Sequence, residues 1–258
     1  MKILSNRTSW IVFLCIGIIL SIYRLSNVQK NEISWDVLGY YLPLPSTFVH
    51  DDPLLSDPSW LAEENKDKDL SGTLYMISSN EDGEPMYFFL FGMAFLFLPF
   101  FFLGHFSAYL FDFQMNGFSP PYQYAMVIGG VVYTIIGLYF LRKILLVYFS
   151  ELVTGIVLLV TVFTTNYIHH LTIKNLETVN VLFMLVVIIV WFTIQWHKTY
   201  KLKYLVIIGI AITLITLVKP SEILIVLLPL FWNVYSIDSF KKKAKVIFKY
   251  KWHFLVAI

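Results

Sequence analysis

The side chains best suited to chemistry gather in ISWDVLGYYLPLPSTFVHDD, residues 33–52, directly after the first apolar run. Asp36 stands just past the end of an expected membrane helix. A carboxylate there suits a general base for an acceptor hydroxyl, and it equally suits a divalent cation. Trp35, Tyr40 and Tyr41 offer ring faces for stacking a sugar, or for anchoring at a bilayer boundary, where Trp and Tyr concentrate. His50-Asp51-Asp52 reads as an acceptor or metal site, since oxygen ligands suit Mg²⁺ or Mn²⁺. It also reads as a capped turn, because Asp52-Pro53 is a common turn opening, and the turn is preferred. Glu84-Pro85 reads first as a helix start and second as a ligand.

Two short polar stretches between apolar runs add to this set. In NYIHHLTIKNLETVN, residues 166–180, His169, His170 and Glu177 could hold phosphate, metal or an acceptor. Glu177 also stands at a helix start, where the dipole favours a carboxylate. Adjacent histidines share no helix face and no third ligand follows at metal spacing, so zinc is poorly supported and no metal site is assigned. In Lys219-Pro220-Ser221-Glu222, a cation at membrane depth points to function, here to contact with a lipid-linked phosphate. Snorkelling of Lys219 to the interface is the competing account.

Positioning these groups falls to membrane helices. The chain has 258 residues, 58% of them hydrophobic and 14% charged, with mean hydropathy +0.70. Soluble domains are about 25% charged, so a polytopic membrane protein is expected. A net charge of +2 with no basic patch excludes nucleic acid as a partner. Cys15 is the single cysteine, which rules out an internal disulfide framework. The N-terminus has the basic-then-apolar layout of a signal peptide. It lacks a small-x-small cleavage site, and an uncleaved first helix is expected.

Spans are expected at 10–23, 123–141, 153–167, 176–196, 204–218 and 223–235, with an incomplete one at 252–258 that suggests a longer protein. All belong to one transmembrane domain over 1–258. Orientation follows from the retention of Lys and Arg in cytoplasmic loops. If Tyr87–Phe111 does not cross, 13 of the 19 basic residues lie inside; if it crosses, only 4 do. The first arrangement is adopted. It puts the N-terminus in the cytoplasm and a large loop, about residues 24–122, on the periplasmic or extracellular face with most of the 17 acidic residues. Tyr87–Phe111, with nine phenylalanines between Tyr87 and Phe106, becomes a juxtamembrane or re-entrant helix bent at Gly92, Pro99 or Gly104. The expected fold is therefore an all-α polytopic membrane helical bundle.

In this order of elements the chain resembles the GT-C membrane glycosyltransferases, among them the protein O-mannosyltransferase, aminoarabinose transferase and bacterial Rgt-like branches. The resemblance rests on the aromatic-flanked Asp of WDVLGYYLPLPS, the non-crossing helix in the same outer loop and Leu141-Arg142-Lys143 closing the next span. It also rests on Glu177 in a short second outer loop and on Lys219-Pro220-Ser221. It differs from that family's pattern in lacking an acidic pair after Trp35, Asp36 being followed by Val37. The resemblance implies transfer of a sugar from a polyprenyl-phosphate donor to a glycan, lipid or protein acceptor. Asp36 would be the base and Lys219 a phosphate contact, with the prenyl tail lying against the Phe-rich helix among membrane lipid. No cofactor is required, although Mg²⁺ or Mn²⁺ stays open. A multi-pass transporter and a non-enzymatic membrane scaffold are the alternatives. Charges at span ends and the lack of a repeat speak against the transporter.

Overall fold

The structure, a computed structural model, describes residues 7–82 and 85–253. Glu84 and most of the incomplete span at 252–258 lie outside the described residues. Over the described residues the fold is all-α apart from one small hairpin. Its helices are α1 (Thr8–Ser26), α2 (Trp35–Tyr41), α3 (Pro43–Phe48), α4 (Ser59–Lys68), α5 (Gly92–Leu110) and α6 (Pro120–Tyr148). They continue with α7 (Glu151–Phe163), α8 (Tyr167–Thr172), α9 (Thr178–Thr199), α10 (Leu202–Val218), α11 (Leu227–Phe231) and α12 (Ile237–Lys249). Strands β1 (Ile77–Ser79) and β2 (Pro85–Tyr87) pair antiparallel, with Ile77 opposite Tyr87 and Ser79 opposite Pro85.

Among the described residues four helices, α1, α5, α6 and α9, are long and apolar enough to cross a membrane, and they mark the chain as a membrane protein. At 1.5 Å per residue, the 19 residues of α5 extend about 28 Å. That is close to the roughly 30 Å hydrocarbon core of a bilayer. The expected bends do not break α5, which runs as one helix through Pro99 and Gly104. It buries Met93, Phe97 and Phe101 along one side and exposes Phe95, Phe102 and Phe106 along another. The expected span at 223–235 is not a single helix. Residues Pro220–Val226 form a 3₁₀ turn, followed by the five-residue α11. Pro220 opens the turn and Pro229 sits inside α11, and each proline removes a backbone donor that a long helix needs.

The expected single transmembrane domain is organised as two compact units. One comprises Met1–Ile16, Ile135–Thr165 and Val181–Ile258; the other comprises Gly17–Thr134 and Asn166–Asn180. In the first unit, the Glu151 carboxylate at the start of α7 accepts from the Ser9 backbone at 2.9 Å and from the Arg142 guanidinium at 3.2 Å. In the second, the core is aromatic: Tyr41, Phe97, Phe101, Phe118 and Tyr122 are all buried. This second unit holds Asp36 and the residues that surround it.

Candidate functional site

Asp36 sits in the first turn of α2, and three features hold that helix. Trp35 takes a left-handed backbone conformation, φ 51°, which for a bulky L-residue is strained by roughly 1–3 kcal/mol. Its N–H donates to the Leu70 carbonyl at 3.1 Å. Leu70 and Ser71 are buried, and Ser71 exchanges hydrogen bonds of 2.8 and 3.0 Å with the Asn65 side chain of α4. The hairpin then supplies two tyrosines. Tyr75, just before β1, donates its hydroxyl to the Asp36 carboxylate, and Tyr87 at the end of β2 donates to the Gly39 carbonyl. Gly39 is required for this packing, because a Cβ there would lie 2.7 Å from the Phe89 ring.

The opposite wall comes from the turn that follows α8. Asn175 is buried, with its side chain donating to the Val127 carbonyl at 3.3 Å. Its neighbour Leu176 is buried too, which leaves Lys174 and Glu177 facing outward. Their ion pair is 2.6 Å long, and His170 Nδ1 lies 3.6 Å from the same carboxylate. Asp36, Trp35, Lys174, Glu177 and Glu32 thus line one open cavity of about 310 Å³. Residues 141 positions apart in sequence, Asp36 and Glu177, are brought to one place.

Beneath the cavity lies a polar network in apolar surroundings. Arg24, at the last turn of α1, is fully buried and pairs with Glu32. It also donates to Asn175 Oδ1 at 2.9 Å and to the Asn27 carbonyl at 3.0 Å. The second Glu32 oxygen accepts from the Gln29 N–H at 2.6 Å. Asn180 extends the network, donating to the Gly130 carbonyl at 2.9 Å and the Asn175 carbonyl at 3.2 Å. Buried charges persist only when paired and hydrogen-bonded, and this pair is both. The network ties α1, the loop ahead of α2 and the turn bearing Lys174 into one frame.

Electrostatics at the cavity follow from this geometry. Tyr75 is held above its ordinary pKa by burial first and then by its bond to Asp36. Burial, then the charges of Asp36 and Glu177, push Tyr40 up. The hydrogen bond to Glu177 and the charge of Glu177 raise Lys174, with a smaller contribution from Asp36. The cavity therefore presents a tyrosine-held carboxylate beside an ammonium that stays protonated at neutral pH. Such a site can accept a proton from a hydroxyl and face an anion at once.

The other expected site residues fall elsewhere. Tyr40 packs edge-on against Phe89 at 4.8 Å, within the electrostatic reach of Asp36. Tyr41 is fully buried and donates to the Gly117 carbonyl at 2.6 Å between Phe101 and Phe118. That corrects its place among ligand-contacting residues, since no ligand surface remains on it. Asp52 accepts from the Ser56 and Asp57 N–H groups, each at 2.9 Å, as a turn cap. His50 stacks on Trp60 at 3.8 Å, and Asp51 is an exposed left-handed turn residue. None of these three lines the cavity. His169 lies edge-on to His170, with ring centroids 5.7 Å apart. Lys219 belongs to the other unit, where its ammonium lies 3.4 Å from Glu222.

Among the described residues, no three His, Cys, Asp or Glu side chains converge as metal ligands. Instead Glu32, Asp36 and Glu177 are engaged by Arg24, Tyr75 and Lys174 respectively. Tyr75 and the Arg24–Glu32 pair carry no local pattern that marks them as site residues, and Lys174 is marked only by its place in the stretch that holds His169, His170 and Glu177. Set against protein-family models, curated proteins and solved structures, the chain matches none of them.

Proposed function

We propose that this chain is a membrane glycosyltransferase that moves a sugar from a polyprenyl-phosphate donor to an acceptor hydroxyl at the outer face of the membrane. One observation carries the reading: Asp36, held by Tyr75, lines the same 310 Å³ cavity as Lys174 and Glu177. In the reaction the acceptor oxygen attacks the anomeric carbon while its proton passes to the Asp36 carboxylate. The bond from the anomeric carbon to the phosphate oxygen breaks, and its electron pair leaves with the lipid phosphate. Lys174 faces that developing anion, the role expected of Lys219 from the resemblance. A phosphate already carrying charge is a competent leaving group, and a divalent cation is an adjunct at most.

An apolar groove supports the same reading. Leu103, Phe111, Pro120, Pro121, Tyr124 and Ile128 line about 340 Å³ along α5 and α6, a surface suited to a prenyl chain. This reading places the N-terminus in the cytoplasm and the cavity on the outer face of the membrane.

The test is Asp36→Asn in the whole chain, assayed in membrane vesicles supplied with a radiolabelled polyprenyl-phosphate sugar. Loss of the base is expected to lower transfer by roughly 10²–10⁴-fold, with thermal unfolding unchanged because Asp36 is exposed. Transfer at the wild-type rate would remove Asp36 from the mechanism.

A further inference from the structure

Helix α12 has three faces of different character. At 100° per residue, Ile237, Phe240, Ala244 and Phe248 form one stripe, and Lys241, Lys245 and Lys249 form the next with Lys242 beside them. The third face packs inward. There Lys243 is buried, its ammonium donating to the Pro229 carbonyl at 2.9 Å and meeting His197 Nε2 above the face of Trp196. A capping box between Ser236 and Ser239 starts the helix.

That docking leaves the apolar stripe uncovered: Ile237 is 75% exposed, Phe240 52% and Phe248 72%. An apolar groove of about 390 Å³ runs beside it, lined by Leu230, Phe231, Phe240, Ala244 and Phe248. Exposed apolar stripes of this kind mark interaction surfaces. A stripe bordered along its length by lysines is the pattern of a helix lying in the membrane interface.

We propose that α12 is an interfacial anchor that binds an anionic phospholipid surface. Ile237, Phe240 and Phe248 enter the boundary between headgroups and acyl chains, and an acyl chain occupies the groove beside Phe231. Lys241, Lys242, Lys245 and Lys249 contact the headgroup phosphates. Charge complementarity selects this occupant, because the exposed stripe is flanked by four cations, which an anionic lipid neutralises and a zwitterionic one does not. Four helices of the described residues are long and apolar enough to cross a membrane, which brings α12 within reach of a lipid surface. Lys243 acts differently. Turned inward, it fixes the rotation of the helix and so aims the other lysines outward. The anchor is independent of the glycosyl-transfer reading, because it uses no residue of the Asp36 cavity.

The test uses the whole chain with its single cysteine replaced (Cys15→Ser), labelled at Phe248→Cys with a fluorophore. Vesicles contain phosphatidylcholine alone or with a minority of phosphatidylglycerol, together with a nitroxide-bearing lipid as quencher. Both leaflets are alike, so the direction of insertion does not affect the reading. Quenching at position 248 is expected to rise at least about fivefold with the anionic lipid. It should fall back in high salt, where screening shortens to about 3 Å, and in K241Q/K242Q/K245Q. A label at Asp238→Cys, on the lysine side, should stay unquenched. Ile237→Cys serves as a second site on the stripe should the first variant fold poorly. Equal quenching in both lipid mixtures, or quenching that survives loss of the lysines, would overturn the proposal. So would the absence of quenching at both stripe positions.

Discussion

Removing one member of the Arg24–Glu32 pair should cost far more than removing both. The two side chains are 2% and 5% exposed, so Arg24→Met strands a carboxylate out of water with only the Gln29 N–H left beside it. Breaking a buried pair in this way costs about 3–5 kcal/mol. The same substitution takes the 2.9 Å donor from Asn175 Oδ1, which adds to the loss without being strictly additive. A net cost near 4 kcal/mol corresponds to a fall in Tm of roughly 8–16 °C at the scaling of about 2–4 °C per kcal/mol. Glu32→Leu strands the guanidinium and should cost a similar amount. The double variant R24M/E32L leaves no buried charge, only amide groups of Asn175, Asn27 and Gln29 to be satisfied. It should lose about 1–2 kcal/mol, less than either single variant. The assay is thermal unfolding of the detergent-solubilised chain at one fixed heating rate, because unfolding of such proteins is often irreversible. Single variants that lose less than about 1 kcal/mol, or a double variant as damaged as the sum of the singles, would refute this account.

Gly130→Ala should destabilise the same frame from the other side. Its new Cβ would collide with Asn175 Nδ2 and lie 2.8 Å from the Asn175 carbonyl oxygen. Overpacking of this kind costs about 1–3 kcal/mol, and a lowered Tm in the same unfolding assay checks it. Asp52 should show its cap in acid. The N–H groups of Asp57 and then Ser56 hold its carboxyl below the usual carboxylate range, so its stabilisation is present above the unfolded pKa of about 3.9. It is lost as pH falls through the lower folded value. The Tm gap between the wild type and Asp52→Ala should thus be widest at neutral pH and close in acid, a gap below about 1 kcal/mol after solvent screening. A gap of constant size would mean that the charge contributes nothing.

Helices whose signal is local could be read from the residues alone. Apolar runs located α1, α6, α9 and α10 to within several residues, because a segment that must satisfy its backbone in lipid has to be a helix. Asp52-Pro53 announced its turn for a similar reason, since a short carboxylate caps the backbone that follows it. Proline positions explain the one failure of that reading, at residues 220–231, where apolar composition was right and helix continuity was not. Tertiary structure alone decided the site. The partners of Asp36 and Arg24 stand 39 and 151 residues away, at Tyr75 and Asn175. No local pattern encodes such pairings. They arise where the chain crosses itself, and there a buried charge or a close-packed glycine admits one partner. The same crossing sent Tyr41 inward and left Tyr40 near Asp36, although the two are neighbours on one short helix.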